Sequence, residues 1–271
     1  MSPLWRDEVG LHLSSTLVVI NRLKKGMRPQ CIAKEAVPVE GGGPGFEPML
    51  RVLDALLEDV RWHGANARVV VADGWARFAI VPWAQRLSEA ERQAHAWHVM
   101  EQAYGEMQPH WRLALADTGP GNPRLACAMP TVLHDSILES CRKAQLRVCS
   151  LQPQLVVAYN CASRDIHSGA GWFVSLASGT LSAAQFGPRG WSQVRALRIG
   201  NDWSAELQRL RRFGRLTAQS AEDARVFVDA PVWLQRLIGT SIDGLELLPC
   251  QADAPVRGTL QSLVALRALH P

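Results

Sequence analysis

Glu8-Val-Gly-Leu-His-Leu-Ser-Ser-Thr-Leu-Val-Val-Ile-Asn-Arg-Leu23 consists of two apolar runs divided by three small hydroxyl residues, Ser14-Ser15-Thr16. The pattern predicts two short strands, Val9–Leu13 and Leu17–Leu23, joined by a tight turn. The same plan returns at Gly171-Trp-Phe-Val-Ser-Leu-Ala-Ser-Gly-Thr-Leu-Ser-Ala-Ala-Gln-Phe186, where an apolar strand enters a Ser/Gly/Thr turn and leaves along another strand. One such hairpin in each half of the chain is the feature around which the remaining elements arrange themselves.

The chain has 271 residues, enough to bury a large core in one big domain or two intimate ones. It is 47% apolar and 20% charged, as soluble globular proteins are, and its net charge is only +4. The densest basic run, Arg209-Leu-Arg-Arg-Phe-Gly-Arg215, has the spacing of a solvated helix face; a nucleic-acid or anionic-lipid patch is the alternative. No apolar run approaches the roughly 18 residues of a spanning helix. The N-terminal residues Met1–Glu8 lack the basic-then-apolar order of a signal peptide. Six cysteines occur without a CxxC pair, mostly inside apolar patterns, which predicts buried free thiols in a reducing cytoplasm.

Each hairpin predicts a third strand in meander order, Cys31–Val39 in the first half and Trp191–Ile199 in the second. In the first half a helix begins near Pro48 and buries Met49, Leu53, Leu56 and Leu57 at helical spacing. Strand 67–72 follows, then an Asp73-Gly74 turn and a strand ending before Pro82. Ser88-Glu-Ala-Glu91 has capping-box spacing and opens a helix to about Tyr104. Strands near 111–116 and 124–129, a helix from Thr131, strand Leu146–Leu151 and a helix from Pro153 complete that half. The second half continues with a helix capped by Asp202, strand Arg225–Val228, a helix from Pro231, strand Leu245–Leu247 and a last helix Gly258–Leu269. The order is a βββαβαβα unit stated twice, with one extra block in the first copy. Mixed sheets flanked by helices place the chain in the α/β class.

This order resembles the actin-like (ribonuclease H-like) fold, in which two phosphate hairpins hold a nucleotide between lobes. More closely it resembles the PilM family of type IV pili and the cytoplasmic domains of the GspL and MshI families. The stretch Val71-Ala-Asp-Gly-Trp-Ala-Arg-Phe-Ala-Ile-Val-Pro-Trp83 is the most specific part, similar to a GspL-type segment before a Glu-rich helix. The resemblance implies a first lobe over 1–165 with a small α+β subdomain inserted at about 66–130, and a second lobe over 166–271. It also implies a cytoplasmic protein at the inner face of the inner membrane, partnered by the cytoplasmic segment of a PilN-like, single-span protein. With no spanning run of its own, the chain would need that separate membrane subunit.

The resemblance further implies an aspartate and a glycine in each phosphate hairpin, and here both hairpins depart from it. His12 and Ser14 stand at those positions in His12-Leu-Ser-Ser-Thr16, and Ser175 and Ala177 in Ser175-Leu-Ala-Ser-Gly-Thr180. Imidazole is a poor ligand for the hard Mg²⁺ ion, and Ser14 puts a Cβ where glycine would let the backbone approach phosphate. The adenine-side glycine pair is also missing from Val226-Phe-Val-Asp-Ala-Pro231. The expectation is therefore a scaffold with no catalytic residue, no metal and no cofactor, the alternative being an ATP-binding ATPase of the same superfamily. Ser14, Ser15, Thr16, Ser178, Gly179 and Thr180 could still offer hydroxyl and N–H groups to some other anion.

No GxxxxGK[ST], GxSxG or HExxH occurs. Asp165, His167 and Ser168 are too close in sequence to predict a triad, and His95 with His98 has no third metal ligand in view. Of the ten tryptophans, Trp75, Trp83 and Trp97 fall in the inserted block and are the candidates for a partner surface.

Overall fold

The computed structural model describes residues 6–26, 30–41, 43, 45–163, 166, 169–177, 179–199, 203–217, 225–230 and 245–248. The Asp202 cap, Ser178, the Asp165/His167/Ser168 group and the helices expected from Pro231 and over Gly258–Leu269 lie outside these residues.

Strand β1 (Glu8–Leu13) is buried at every position, because it is the centre of a five-stranded sheet. On one side it pairs antiparallel with β2 (Leu17–Lys24), which pairs with β3 (Gln30–Pro38). On the other it pairs parallel with β4 (Asn66–Val71), which pairs with β8 (Arg147–Pro153). The order β3-β2-β1-β4-β8 is matched in a second sheet, β11-β10-β9-β12-β13. There β9 (Gly171–Ala177), β10 (Thr180–Gly187) and β11 (Gly190–Arg198) form the meander, and β12 (Val226–Asp229) and β13 (Glu246–Leu247) run parallel to β9. The duplication expected from the two hairpins is thus a duplication of sheet order and strand direction.

Helices α1 (Glu47–Leu57) and α3 (Thr131–Lys143) pack Met49, Leu53, Leu133 and Ile137 onto the first sheet. In the second lobe, α5 (Trp203–Thr217) places Leu207 and Leu210 against Trp172, Val174 and Val226. The central helix α4 (Gln154–Ala162) lies between the sheets: Val157 meets Val19 and Val70, while Leu155, Ala158 and Ala162 meet Phe173 and Phe227. Apolar residues on two opposite sides, with Asn160 left exposed, are what a helix held between two sheets requires.

The inserted block differs from expectation in two respects. Its own sheet, ordered β5-β7-β6, is built from β5 (Arg77–Val81), β6 (Trp111–Leu115) and β7 (Arg124–Pro130). Strand β4 is not part of it, so the separate sheet begins at Arg77 rather than near residue 66. Asp73-Gly74-Trp75 is a 3₁₀ turn that carries the chain from one sheet to the other, not a hairpin joining β4 to β5. Helix α2 (Glu89–Tyr104) covers one face of this sheet through Ala96 and Met100, and its capping box is complete, with Ser88 and Glu91 each bonding the other's backbone.

The other face of the insert packs on the second lobe. Phe78, Leu125 and Cys127 join Tyr159 of α4 and Phe173, Phe186 and Phe227 in one interlobe cluster. Tyr159 meets Phe173 and Trp191 edge-on, with ring centroids 5.4 and 5.2 Å apart, a favourable arrangement of aromatic quadrupoles. Among the described residues no helix is long and apolar enough to cross a membrane.

Cys31 and Cys149 are exposed, contrary to the expectation of burial, because each lies on an outermost strand of the first sheet. Burial pushes the enclosed Cys141 thiol from its ordinary 9.0 up to about 12. Cys127 is also pushed up to about 12, by burial and then by the charge of Asp73. Both thiols are more acidic in the unfolded chain, so the stability they contribute is complete below about pH 9 and is lost as pH rises from there towards 12. Alkylation of the native protein at pH 8, mapped by mass spectrometry, should label Cys31 and Cys149 quickly and Cys141 only after unfolding. Equal native rates at Cys31 and Cys141 would contradict this packing.

Candidate functional site

The two hairpin turns and the 3₁₀ turn after β4 converge between the lobes. In the first turn, Ser14 is fully buried and closes the turn with its own side chain. Its hydroxyl donates to the Leu17 carbonyl at 2.8 Å and accepts from the Leu17 N–H at 3.0 Å. The Ser14 N–H donates to that same carbonyl at 3.1 Å. The residue in the expected glycine position therefore ties up turn groups that an open phosphate loop would leave available.

His12 and Ser175, the residues in the two expected aspartate positions, do not bond each other directly. Gln154, the first residue of α4, lies between them. His12 Nε2 is 2.9 Å from Gln154 Oε1, Gln154 Nε2 donates to Ser175 Oγ at 3.2 Å, and Ser175 Oγ donates to Asp229 Oδ2 at 3.4 Å. All four side chains are buried. Because the Gln154 amide nitrogen is used as a donor towards Ser175, its oxygen must accept from His12, which places the His12 proton on Nε2. Every donor then points the same way, from His12 in the first lobe to a carboxylate in the second, and each bond polarises the next.

Asp73 fixes the third turn. Both its oxygens accept from the Leu155 N–H, at 3.0 and 3.1 Å, at the start of α4 where unpaired amides and the helix dipole favour negative charge. The carboxylate is 4% exposed, so its position is set by this capture rather than by solvent. Next to it, a Cβ on Gly74 would stand 3.2 Å from Thr180 Oγ1, a closeness that favours glycine there. Gly179 has φ +68°, the left-handed conformation the second turn needs.

The space left between the turns is a cavity of about 90 Å³, bounded by Ser15, Gly74, Trp75, Gly179, Thr180 and Arg198. Small-molecule pockets are commonly about 300–1,000 Å³, several-fold larger than this one. No group of three or more His, Cys, Asp or Glu side chains among the described residues is placed to hold a metal ion.

The sequence-predicted positions thus divide. His12 and Ser175 belong to one buried chain; Ser15, Gly179 and Thr180 line the cavity; Ser14 closes its own turn; Thr16 is exposed; and Ala177 ends β9. Gln154, Asp229 and Arg198 were not anticipated. Gln154 is 142 positions from His12, and only the meeting of β1 with the start of α4 reveals the pair.

The tryptophan candidates also divide. Trp75 is 5% exposed and packs into the first-lobe core, with only an edge on the cleft cavity. Trp83 is half-buried, with the Arg124 guanidinium 5.8 Å from its ring, and it shares a shallow groove with Pro82, Leu87 and His95. Trp97 is half-buried against the insert's own core.

No protein-family model matches this sequence, and no curated protein sequence matches it. Solved structures do match. The PilM–PilN type IV pilus biogenesis complex superposes with a TM-score of 0.63 at 15% identity, covering 97% of this chain and 99% of the other. The cytoplasmic domain of EpsL, an inner-membrane component of the Vibrio cholerae type II secretion system, gives 0.59 at 10% identity over 96% and 94%. A Bacteroides thetaiotaomicron protein with an actin-like ATPase fold gives 0.61 at 8% identity over 96% and 95%. The fold is actin-like over nearly the whole chain.

If the cross-lobe chain acts as a unit, cutting it once should cost nearly as much as cutting it twice. Gln154→Leu strands a buried donor and acceptor, and should lower unfolding free energy by about 1–3 kcal/mol. Urea titration of the His12→Leu, Gln154→Leu and double variants should give a double-mutant loss clearly smaller than the sum. Additive losses would show that His12 and Gln154 are not coupled.

Proposed function

We propose that the protein is a non-catalytic actin-like scaffold of a type IV pilus or type II secretion type of assembly platform. It works at the cytoplasmic face of the inner membrane and binds the cytoplasmic segment of a PilN-like membrane partner. The observation that carries this reading is the cleft: protein hydrogen bonds join the lobes through His12, Gln154 and Ser175, and about 90 Å³ remains where a nucleotide would sit.

A hydrolase at this place would need a carboxylate-held cation and room for in-line attack on a terminal phosphate. His12 and Ser175 stand where the resemblance implies the carboxylates, and Asp73 is committed to Leu155. The likeness to the PilM–PilN complex, over the full length of both chains, supports a role in which a membrane protein's cytoplasmic segment is the ligand. Such a segment can bind as a peptide in a groove or as an added strand. The groove beside Trp83 on the insert is the first place to look, with a half-buried aromatic ring and an adjoining arginine.

Two measurements test the reading. Mg-ATP at 100 times a real Kd would stabilise the fold by about 2.7 kcal/mol, so a thermal-shift assay with millimolar Mg-ATP should show no rise. Cytoplasmic segments of single-span membrane proteins encoded beside this chain should bind at micromolar levels, and Trp83→Ala should weaken the bound one at least about tenfold. A clear ATP-dependent shift would restore the ATPase alternative, and absence of binding by every such segment would remove the scaffold role.

A further inference from the structure

We propose that the groove beside Trp83 takes an acidic peptide segment, with an Asp or Glu carboxylate seated on Arg124 and a neighbouring apolar side chain laid against Trp83. This rests on the binding-platform role proposed above and adds the chemical character of the partner segment.

The groove is built by the insert and shares no lining residue with the cleft cavity. Arg124 opens β7 and stands opposite Val81, the last residue of β5. Pro82 ends the ladder of that strand, and Trp83 follows with its ring 5.8 Å from the Arg124 guanidinium. Leu115 at the end of β6, with Leu87 and His95, completes the lining. The enclosed volume is about 20 Å³, less than the liquid share of one water. Such a groove suits side chains lying along a surface, not a free small molecule.

What marks it is an unused cation. Arg124 is half-buried, its Nε is shut off from solvent, and neither a hydrogen bond nor an ion pair reaches the guanidinium among the described residues. The Trp83 ring attracts the charge but cannot accept the in-plane N–H groups. The acids close by in sequence are committed elsewhere: Glu89 pairs with Arg92, and Glu91 accepts from the Ser88 N–H and hydroxyl. Asp117, just past the end of β6, is exposed and makes no ion pair among the described residues. A buried guanidinium donor left without an acceptor is costly, and the planar fork of arginine matches the two oxygens of a carboxylate.

The rest of the lining sets the neighbour of that carboxylate. Val81, Pro82, Trp83, Leu87 and Leu115 are apolar, so the occupant needs an aliphatic or aromatic side chain beside its acid. Membrane surfaces and nucleic acids are held by many cations acting together, whereas one guanidinium is enough for one peptide carboxylate.

The test is selection of phage-displayed random heptapeptides on the full chain, then fluorescence polarisation with the capped, labelled peptides it returns. Enriched sequences should carry Asp or Glu beside an aromatic or aliphatic residue. Replacing that acid by its amide, and separately Arg124→Gln, should each weaken binding at least about tenfold. Arg124→Glu should reverse the preference, losing the acidic peptide and binding its counterpart with lysine in place of the acid. The exchange on the peptide leaves the protein untouched, so the test holds even where an Arg124 variant folds poorly. Neutral or basic enriched sequences, no enrichment, or affinity indifferent to both exchanges overturns the proposal. Self-association that Arg124→Gln abolishes also overturns it, by making a second copy of this chain the occupant. A membrane-protein segment encoded beside this chain that is weakened by Trp83→Ala but not by Arg124→Gln overturns this inference alone. Acidic peptides that bind as described while no such segment binds would remove the scaffold role alone.

Discussion

The fold depends on how two central strands, one per lobe, are joined across a cleft. β1 and β9 each carry a polar residue at the end facing that cleft, and burying such groups costs several kcal/mol unless they are paired. His12 and Ser175 meet the requirement through Gln154, and the last hydroxyl in line donates to Asp229. Two carboxylates at positions 12 and 175 would repel each other and would require a cation. An imidazole and a hydroxyl require only a bridging amide. The residues that depart from the expected aspartates are thus the same ones that hydrogen-bond across the cleft.

Much of the fold was legible in the sequence because its signals are local. Alternating and continuous apolar runs marked both meanders, Pro48 marked the start of α1, and Ser88 with Glu91 marked the start of α2 with a capping box that the structure forms in full. The failures occurred where a distant partner overrode a local signal. Asp73-Gly74 has the composition of a hairpin turn, yet the Asp73 carboxylate is captured by an amide 82 residues away, and β5 departs into another sheet. Trp75 has the composition of an interface residue, but that turn directs its ring into the first-lobe core.

The same limit applied at the site. That His12, Ser14, Ser175 and Ala177 depart from a phosphate clasp could be read from residue type alone. What replaced the clasp could not, since Gln154 follows Pro153 in a stretch whose only local signal is a helix start. Arg198 was equally hidden: it is an ordinary charge at the end of an outer strand until β11 brings it opposite Thr180 at the edge of the cleft. A departure from a motif is visible in the motif, whereas the contacts that replace it arise from pairs that only the fold brings together.

The interlobe cluster completes the argument. A two-lobed protein that works by hinge closure needs a cleft whose open and closed states differ by only a few kcal/mol, so that a ligand can shift the balance. Here Phe173 and Phe227 are buried against Tyr159 of α4 and against Phe78, Leu125 and Cys127 of the insert. Exposing each large ring would cost about 1.5–3 kcal/mol, and opening would expose several at once. The device the insertion provides is rigidity. It clamps the second lobe through an apolar face and leaves its other elements, including the Trp83 groove, on a fixed frame. A surface held in one geometry loses little entropy when a peptide docks, which suits the groove to the binding role proposed above.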